Sequence, residues 1–274
     1  MNHLLLKLTL VSAFLFIGPA YSDELTKSSL NRLLTYSGIS KQLAEMPSYV
    51  QSGLDEAAQS QALPAGALDE IKKVIAGAFN LSGMVESVGS EVKRAVNEAD
   101  AKEILKWYTS DLGVRITKAE EAASTQTAFQ EIMSTTPYLM ADGAGVEFAR
   151  KIDALIDGTG TTMLLDERTG IAVFTAMSKA KHPDQPVDLD AFKAHWATQE
   201  LTARANTEQY FTASLVYAYK RIEPADKEKY AAFLALPATR RFNDSVAAGT
   251  KLALDQAIEK LERELSSTLT KPAK

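Results

Sequence analysis

From Leu25 onward, apolar side chains recur every three or four positions almost to the end of the chain, and no run alternates for long enough to make a strand. The pattern predicts an all-α protein, an array of about ten to twelve helices. Leu25, Leu30, Leu33 and Leu34 line a first helix that Ser37-Gly38 breaks, and Ile39, Leu43, Val50 and Leu54 line a second with Pro47 as its kink. Pro64 opens a third helix burying Leu68, Ile71, Ile75 and Phe79. Asn80 caps a fourth carrying Met84, Val85, Val88, Val92 and Val96, and Asn97 caps a fifth. A long helix is expected from Asp111 toward Thr135, and a closing helix turns Leu254, Ile258, Leu261 and Leu265 toward the core.

Two stretches of this pattern answer each other. Asn97 to Thr117 aligns without a gap, 126 positions on, with Glu223 to Asn243. Asp100 falls on Asp226, Ile104 on Tyr230, Trp107 on Phe233, Arg115 on Arg241 and Ile116 on Phe242. Both stretches contain a boundary between helices. In the first, Ser110 is placed to cap the next helix and Asp111 sits in its first turn, where a carboxylate complements the helix dipole. In the second, Pro237 takes the position of Asp111, and its fixed φ and missing N–H suit the first helical residue. Gly113 matches Thr239, so a positive φ is not required at that position in both. Arg115 and Arg241 each stand in a first turn, where positive charge opposes the dipole, so each needs local compensation. An ion pair of Asp111 with Arg115 has no counterpart at Pro237, and the expectation is therefore that each guanidinium lies against Trp107 or Phe233 of the preceding helix.

The correspondence extends more loosely. Leu30, Leu33, Leu34, Ser37, Gly38 and Leu43 match Ile152, Leu155, Ile156, Thr159, Gly160 and Leu165, and Leu68, Ile71 and Ile75 match Leu189, Phe192 and Trp196. Two related helical halves are expected, residues 23–140 and 141–267, joined through Thr136-Pro137 and the glycines of Ala141 to Gly145. A disordered tail is expected over 268–274.

Leu33-Leu34-Thr35-Tyr36-Ser37-Gly38-Ile39-Ser40-Lys41-Gln42-Leu43, followed by Trp107-Tyr108-Thr109-Ser110-Asp111-Leu112-Gly113, resembles the exported bacterial family called Domain of Unknown Function 2059. That family shows an LL-x-x-(S/T)-G-x-x-x-x-L opening and an aromatic-Y-x-S-P-x-G segment. The resemblance covers Leu25 to Ala123, with a degenerate second copy in the C-terminal half. Asp111 stands where proline is usual, and Pro237 restores it in the second copy. The resemblance implies an exported helical fold and no assigned catalytic residue.

Composition adds a location. Lys7 precedes an apolar run from Leu8 to Ile17, and Ala20-Tyr21-Ser22 offers small residues for cleavage, so residues 1–22 read as a secretory signal peptide and the mature chain begins near Asp23. The run is shorter than the ~20 residues of a spanning helix. A periplasmic protein with no integral membrane segment after signal removal is expected. There is no cysteine, hence no disulfide, thiolate metal site or cysteine nucleophile. Without Lys7 the mature chain carries 29 basic and 35 acidic residues, a net charge of −6, which argues against nucleic acid as a partner.

Candidate chemistry is sparse. His182 and His195 are 13 residues apart with no ligand partner at helical spacing, so no metal site is expected, and no cofactor. Ser90 to Lys93 and Ser178 to Lys181 have S-x-x-K spacing without the accompanying S-D-N or K-T-G motifs. The glycines after Asp142 and Asp157 follow no strand and read as helix boundaries, and the adjacent carboxylates Glu120-Glu121 and Asp166-Glu167 read as solvated faces. No catalytic residue is assigned.

The compositional anomaly is aromatic, with seven of 21 aromatic residues lying between Tyr210 and Phe242. Phe211, Leu215, Ala218 and Ile222 make a buried stripe, and Tyr210, Tyr217 and Tyr219 lie off it. Such a helix is either central in the fold, with its phenols partnered, or lines a cleft. The binding site expected from the second case has Tyr210, Tyr217 and Tyr219 at its border and Tyr230 and Phe233 as its floor. Its occupant would be an envelope protein or an amphipathic small molecule. The alternative is a cell-wall-directed hydrolase using Asp and Glu alone, whose carboxylates need no sequence motif. The oligomeric state is left open.

Overall fold

The structure is a computed structural model that describes residues 23–269 apart from 62 and 65, and within these it holds twelve α-helices and no strand. They are α1 (Lys27–Tyr36), α2 (Ile39–Ser60), α3 (Ala67–Ala78), α4 (Leu81–Ala95), α5 (Glu98–Tyr108), α6 (Asp111–Ala123), α7 (Gln126–Ala141), α8 (Gly143–Ile156), α9 (Gly158–Lys181), α10 (Leu189–Tyr219), α11 (Pro224–Leu234) and α12 (Pro237–Leu269). The expected signal segment lies outside the described residues. So does most of the expected tail, although α12 continues to Leu269.

Helix starts follow from local chemistry. The side chains of Asn80, Asn97, Ser110, Thr125, Asp142 and Asp188 each accept a hydrogen bond from the backbone N–H three residues on. Asn97 and Asp100 form a reciprocal capping box, and Pro237 is the first residue of α12. Three expectations need correction. The third helix opens at Ala67, after Gly66 in the left-handed region, and not at Pro64. The long helix from Asp111 is broken at Ser124-Thr125, where the Thr125 hydroxyl caps a new helix. The expected linker is also absent: Thr136 and Pro137 lie inside α7, and Asp142 alone separates α7 from α8.

The helices pack reciprocally. α4 lies along α12, and α10 lies along α6 and α7; α1 packs on α5, as α8 packs on α11; α2 and α9 lie against each other. One apolar core runs through all of this, from Leu25 to Leu265, and both halves contribute to it. Leu33, Leu54, Ile71, Ile75, Val88, Ile104, Leu261 and Leu265 are fully buried, each stabilising by about 1.5–3 kcal/mol. The closing stripe of Leu254, Ile258, Leu261 and Leu265 is buried as expected.

Two glycines are fixed by close approach. A Cβ on Gly113 would collide with the Trp107 carbonyl, whereas the second junction, entered through Pro237, accommodates a buried Thr239. A Cβ on Gly249 of α12 would stand 2.6 Å from the Val88 Cα of α4, and backbone cannot move aside as a side chain can. Overpacking of this kind costs about 1–3 kcal/mol, more than the roughly 0.8–1 kcal/mol of helix propensity that alanine gains over glycine. Gly249→Ala should therefore lower the urea midpoint. Gly77→Ala, whose Cβ would meet only Glu264 Oε2 at 3.7 Å, should leave it unchanged or raise it. Equal midpoints for the two variants would contradict the packing account.

Candidate functional site

The five residues singled out by their aromatic excess do not share a cleft. Tyr219, Tyr230 and Phe233 are core residues, 1%, 7% and 4% exposed, and only Tyr210 and Tyr217 remain half-buried. The reason is the orientation of α10. Its buried face at this end is Thr212, Ala213, Leu215, Val216 and Tyr219, rotated from the expected stripe so that Tyr219 turns inward. Tyr217 instead donates to Glu131 at 2.7 Å, with the Lys220 ammonium 3.7 Å above its ring. Tyr210 leans on Phe129 of α7 at a ring separation of 5.3 Å.

The repeated arginines are compensated by carboxylates and not by aromatic rings. Arg115 donates to Asp226 at 2.8 Å, and Arg241 grips Asp100 through Nη2 at 2.7 Å and Nε at 3.2 Å. Each pair joins one matched stretch to the other. Trp107 and Phe233, also matched, stack at 4.6 Å with planes 8° apart, so neither ring offers that face to a guanidinium. The acid of each pair sits in the first turn of its own helix, and so serves the helix dipole as well as the arginine.

Glu120 is the polar group that sequence reasoning misplaced on a solvated face. It is half-buried on α6, and its Oε1 accepts hydrogen bonds from the phenols of Tyr219 on α10 at 2.5 Å and Tyr230 on α11 at 2.7 Å. Tyr108 of α5 is the other titratable group close enough to interact with it. Desolvation raises the Glu120 carboxyl above its ordinary 4.5, and the two phenol bonds, which favour the charged form, only partly oppose this. Burial also pushes both phenols well up, helped by the Glu120 charge. A signal for this residue was available. Gly113, Ile116, Glu120 and Ala123 follow helical spacing, and the other three are buried.

The remaining candidates are ordinary helix and loop residues. His195 is exposed on α10 beside Gln199, and His182 follows α9. Ser90 donates to the Ser87 carbonyl within α4, and Lys181 donates to Gln61. Among the described residues no group of His, Asp and Glu is placed to hold a metal ion. Two clefts have some size. One of about 310 Å³ lies around Lys93, Asn97, Asp100 and Arg241, and one of about 200 Å³ lies around Met140, Arg150, Glu208 and Thr212. Neither is lined by the five aromatic residues.

Exposed large apolar side chains occur at Tyr36, Tyr49, Leu81, Val114 and Leu201, and three more lie on α7. Ala128 and Ile132 hold this helix against α10 through a small satellite core. Phe129 and Met133, one turn apart, are 42% and 53% exposed on one side of it, and Tyr138, 81% exposed, lies about half a turn round the helix from Phe129. Beyond Tyr210 stands Tyr49 of α2, itself 49% exposed and close enough for its phenol to add to the rise that burial causes in the Tyr210 pKa.

Of the helices that frame these groups, α5, α6 and α7 fall within a segment with relatives. Residues 93–144 match a family model. It is described as an uncharacterized protein conserved in bacteria (DUF2059), and the matched residues run from the end of α4 through α5, α6 and α7. The match includes the Trp107 to Gly113 motif, extends past Ala123, and leaves out the Leu33 to Leu43 opening. No curated protein matches the chain. No solved structure matches it either. No helix among the described residues is long and apolar enough to cross a membrane.

The Glu120 cluster has a pH signature. Because the folded pKa is raised, the stability associated with this group is fully present below the ordinary value of 4.5 and is lost as pH rises through the folded value. Glu120→Gln keeps an acceptor for both phenols and does not titrate, so its urea midpoint should gain on the parent's between pH 4 and pH 7. Glu120→Ala takes the acceptor from two buried phenols that can still bond to each other, leaving one donor unpaired at about 1–3 kcal/mol, and should be the less stable variant at both pH values. A pH-independent difference between parent and Glu120→Gln would remove the assignment.

Proposed function

We propose that this protein is exported and acts in the cell envelope as a non-catalytic binding protein, taking a partner's amphipathic helix or an amphipathic small molecule on the outer face of α7. The observation that carries this reading is the exposure of Phe129 and Met133 one turn apart on α7, with the Tyr210 ring tilted against Phe129. Phe129 and Met133, exposed on the same side of the helix, favour being covered. The phenol of Tyr210 adds a polar tip suited to an amphipathic occupant. Tyr219, Tyr230 and Phe233 are buried in the main core and take no part in this face.

Export is supported by the apolar run from Leu8 to Ile17 and by Ala20-Tyr21-Ser22 before Asp23. It is also supported by the tie at Asp23, whose carbonyl accepts from the Glu98 N–H at 3.0 Å, with Leu25 just beyond already buried. Mass spectrometry of the chain from an envelope fraction should find an N-terminus near Asp23, and an intact N-terminus on a cytosolic chain would refute export.

Binding is tested on the full chain in its own cells, with a photo-crosslinking amino acid at position 133. A discrete crosslinked species is expected that diminishes on Phe129→Ser while the melting temperature stays close to the parent's, since Phe129 is exposed. A position-133 probe that yields no adduct, or adducts indifferent to Phe129→Ser, would remove the α7 face from consideration.

A further inference from the structure

The reciprocal pairing at the centre of the molecule carries an inference about what one of its surfaces recognises. Asp100 binds Arg241 and Asp226 binds Arg115. The offset from Asp100 to Asp226 and from Arg115 to Arg241 is 126 residues in both cases. If residue i of one surface meets residue j of the other, and the equivalent of j meets the equivalent of i, the two surfaces are related by a two-fold axis. A residue on that axis must meet its own equivalent. Trp107 and Phe233, again 126 apart, do so in a near-parallel stack.

The same relation organises the surrounding helices. α6 and α7 together span 111–141, which becomes 237–267 at the same offset, and α12 occupies that range as one helix. α10 lies along α6 and α7 as α4 lies along α12, and the sequence match of Leu68, Ile71 and Ile75 with Leu189, Phe192 and Trp196 sets α3 against the beginning of α10. α1 on α5 corresponds to α8 on α11, and α2 meets its counterpart α9 directly. Burial follows the relation as well: Ile104 with Tyr230, Leu105 with Ala231, Ile116 with Phe242, and Ile132 with Ile258 are all buried pairs. Shared helical spacing would align apolar stripes, but it would not make matched ion pairs cross from one stripe to the other.

We infer that the chain is a fused dimer of one helical unit, and that the surface formed by α5 and the first turns of α6 is built to recognise a second copy of itself, here supplied by α11 and the start of α12. Its occupant is fixed by self-complementarity: an aromatic ring at the centre, an acid on one side and an arginine on the other. Any chain carrying this face without a fused counterpart would have its complement in a second molecule of the same kind.

The test uses the full chain with Glu223–Asn243 replaced by the sequence of Asn97–Thr117, which is equal in length. Glu120→Val and Tyr219→Phe are included so that neither a carboxylate nor a buried phenol is left unpaired when Tyr230 is replaced, valine being the residue present at the matching position 246. The control receives the sequence of residues 93–113 in the same place, slipped by about one helical turn. The in-register graft should remain a monomer with parental helicity and one cooperative unfolding transition, while the slipped graft should lose cooperativity. Grafts that behave alike, both folded or both unfolded, would overturn the inference.

A smaller variant guards against a general intolerance of grafting. Trp107→Phe with Phe233→Trp exchanges the two rings across the proposed axis, and among the described residues Trp107 Nε1 has no hydrogen-bond partner to lose. The double exchange should unfold at a midpoint closer to the parent's than either single change does. Losses that simply add would count against equivalence of the two positions.

Discussion

The stack of Trp107 on Phe233 is the contact on which the arrangement of the chain depends. It lies between the two Arg–Asp pairs, and the helices that carry these six residues also carry the boundaries that set the direction of α6 and α12. Each ion pair is exposed on its arginine side and contributes little by itself, on the order of 0.2–1 kcal/mol. Their effect is on register. A slip by one helical turn would leave both acids in first turns without their arginines and would part the rings, so the alternatives are penalised together.

Around that centre several polar groups tie one segment of the chain to another. Glu98 of α5 accepts from the Ser29 hydroxyl and the Thr26 N–H at the start of α1, and these bonds hold its carboxyl below the ordinary value. Lys179, almost wholly buried in α9, donates to the carbonyls of Pro183 and Gln185 and closes the turn toward α10. Glu120 gathers α6, α10 and α11 through two phenols. A buried carboxylate must be desolvated and then partnered, so such a group restricts the helices around it more than apolar contact does.

Much of the fold was legible because helix starts are local events. Asn80, Asn97, Ser110 and Pro237 declare their helices through a side chain or ring acting within one turn. The break at Ser124-Thr125 was not legible, since the apolar spacing continues across it and the interruption is set by how α7 docks on α10. Pro137 read as punctuation, yet it lies inside α7 on an exposed position, where one lost backbone bond is offset by Ile132 and Leu139 packing to either side. The candidate site was harder to read. Composition located the tyrosines, but whether Tyr217 or Tyr219 turns inward depends on the roll of α10 against α6, which no local pattern encodes. The partners of Arg115 and Arg241 stood in the aligned stretches all along, as Asp226 and Asp100, and became visible only once the two stretches were set face to face.

Glu120 has Val246 as its matched position, and that inequality has a consequence for how such a molecule can change. Two separate, identical chains meeting about a two-fold axis must place the same residue on both sides, so a buried acid would be introduced twice or not at all. Covalent continuity lifts that obligation. One side can acquire an ionisable group and the tyrosines that answer it while the other keeps valine, and the desolvation of a carboxylate is borne once. The same freedom lets one half break its final helix at Ser124-Thr125 while the other keeps an unbroken α12, so that only one side displays Phe129 and Met133, where the other has Asp255 and Glu259. Within a single chain, symmetry can be retained where it holds the molecule together and abandoned where the molecule meets its surroundings.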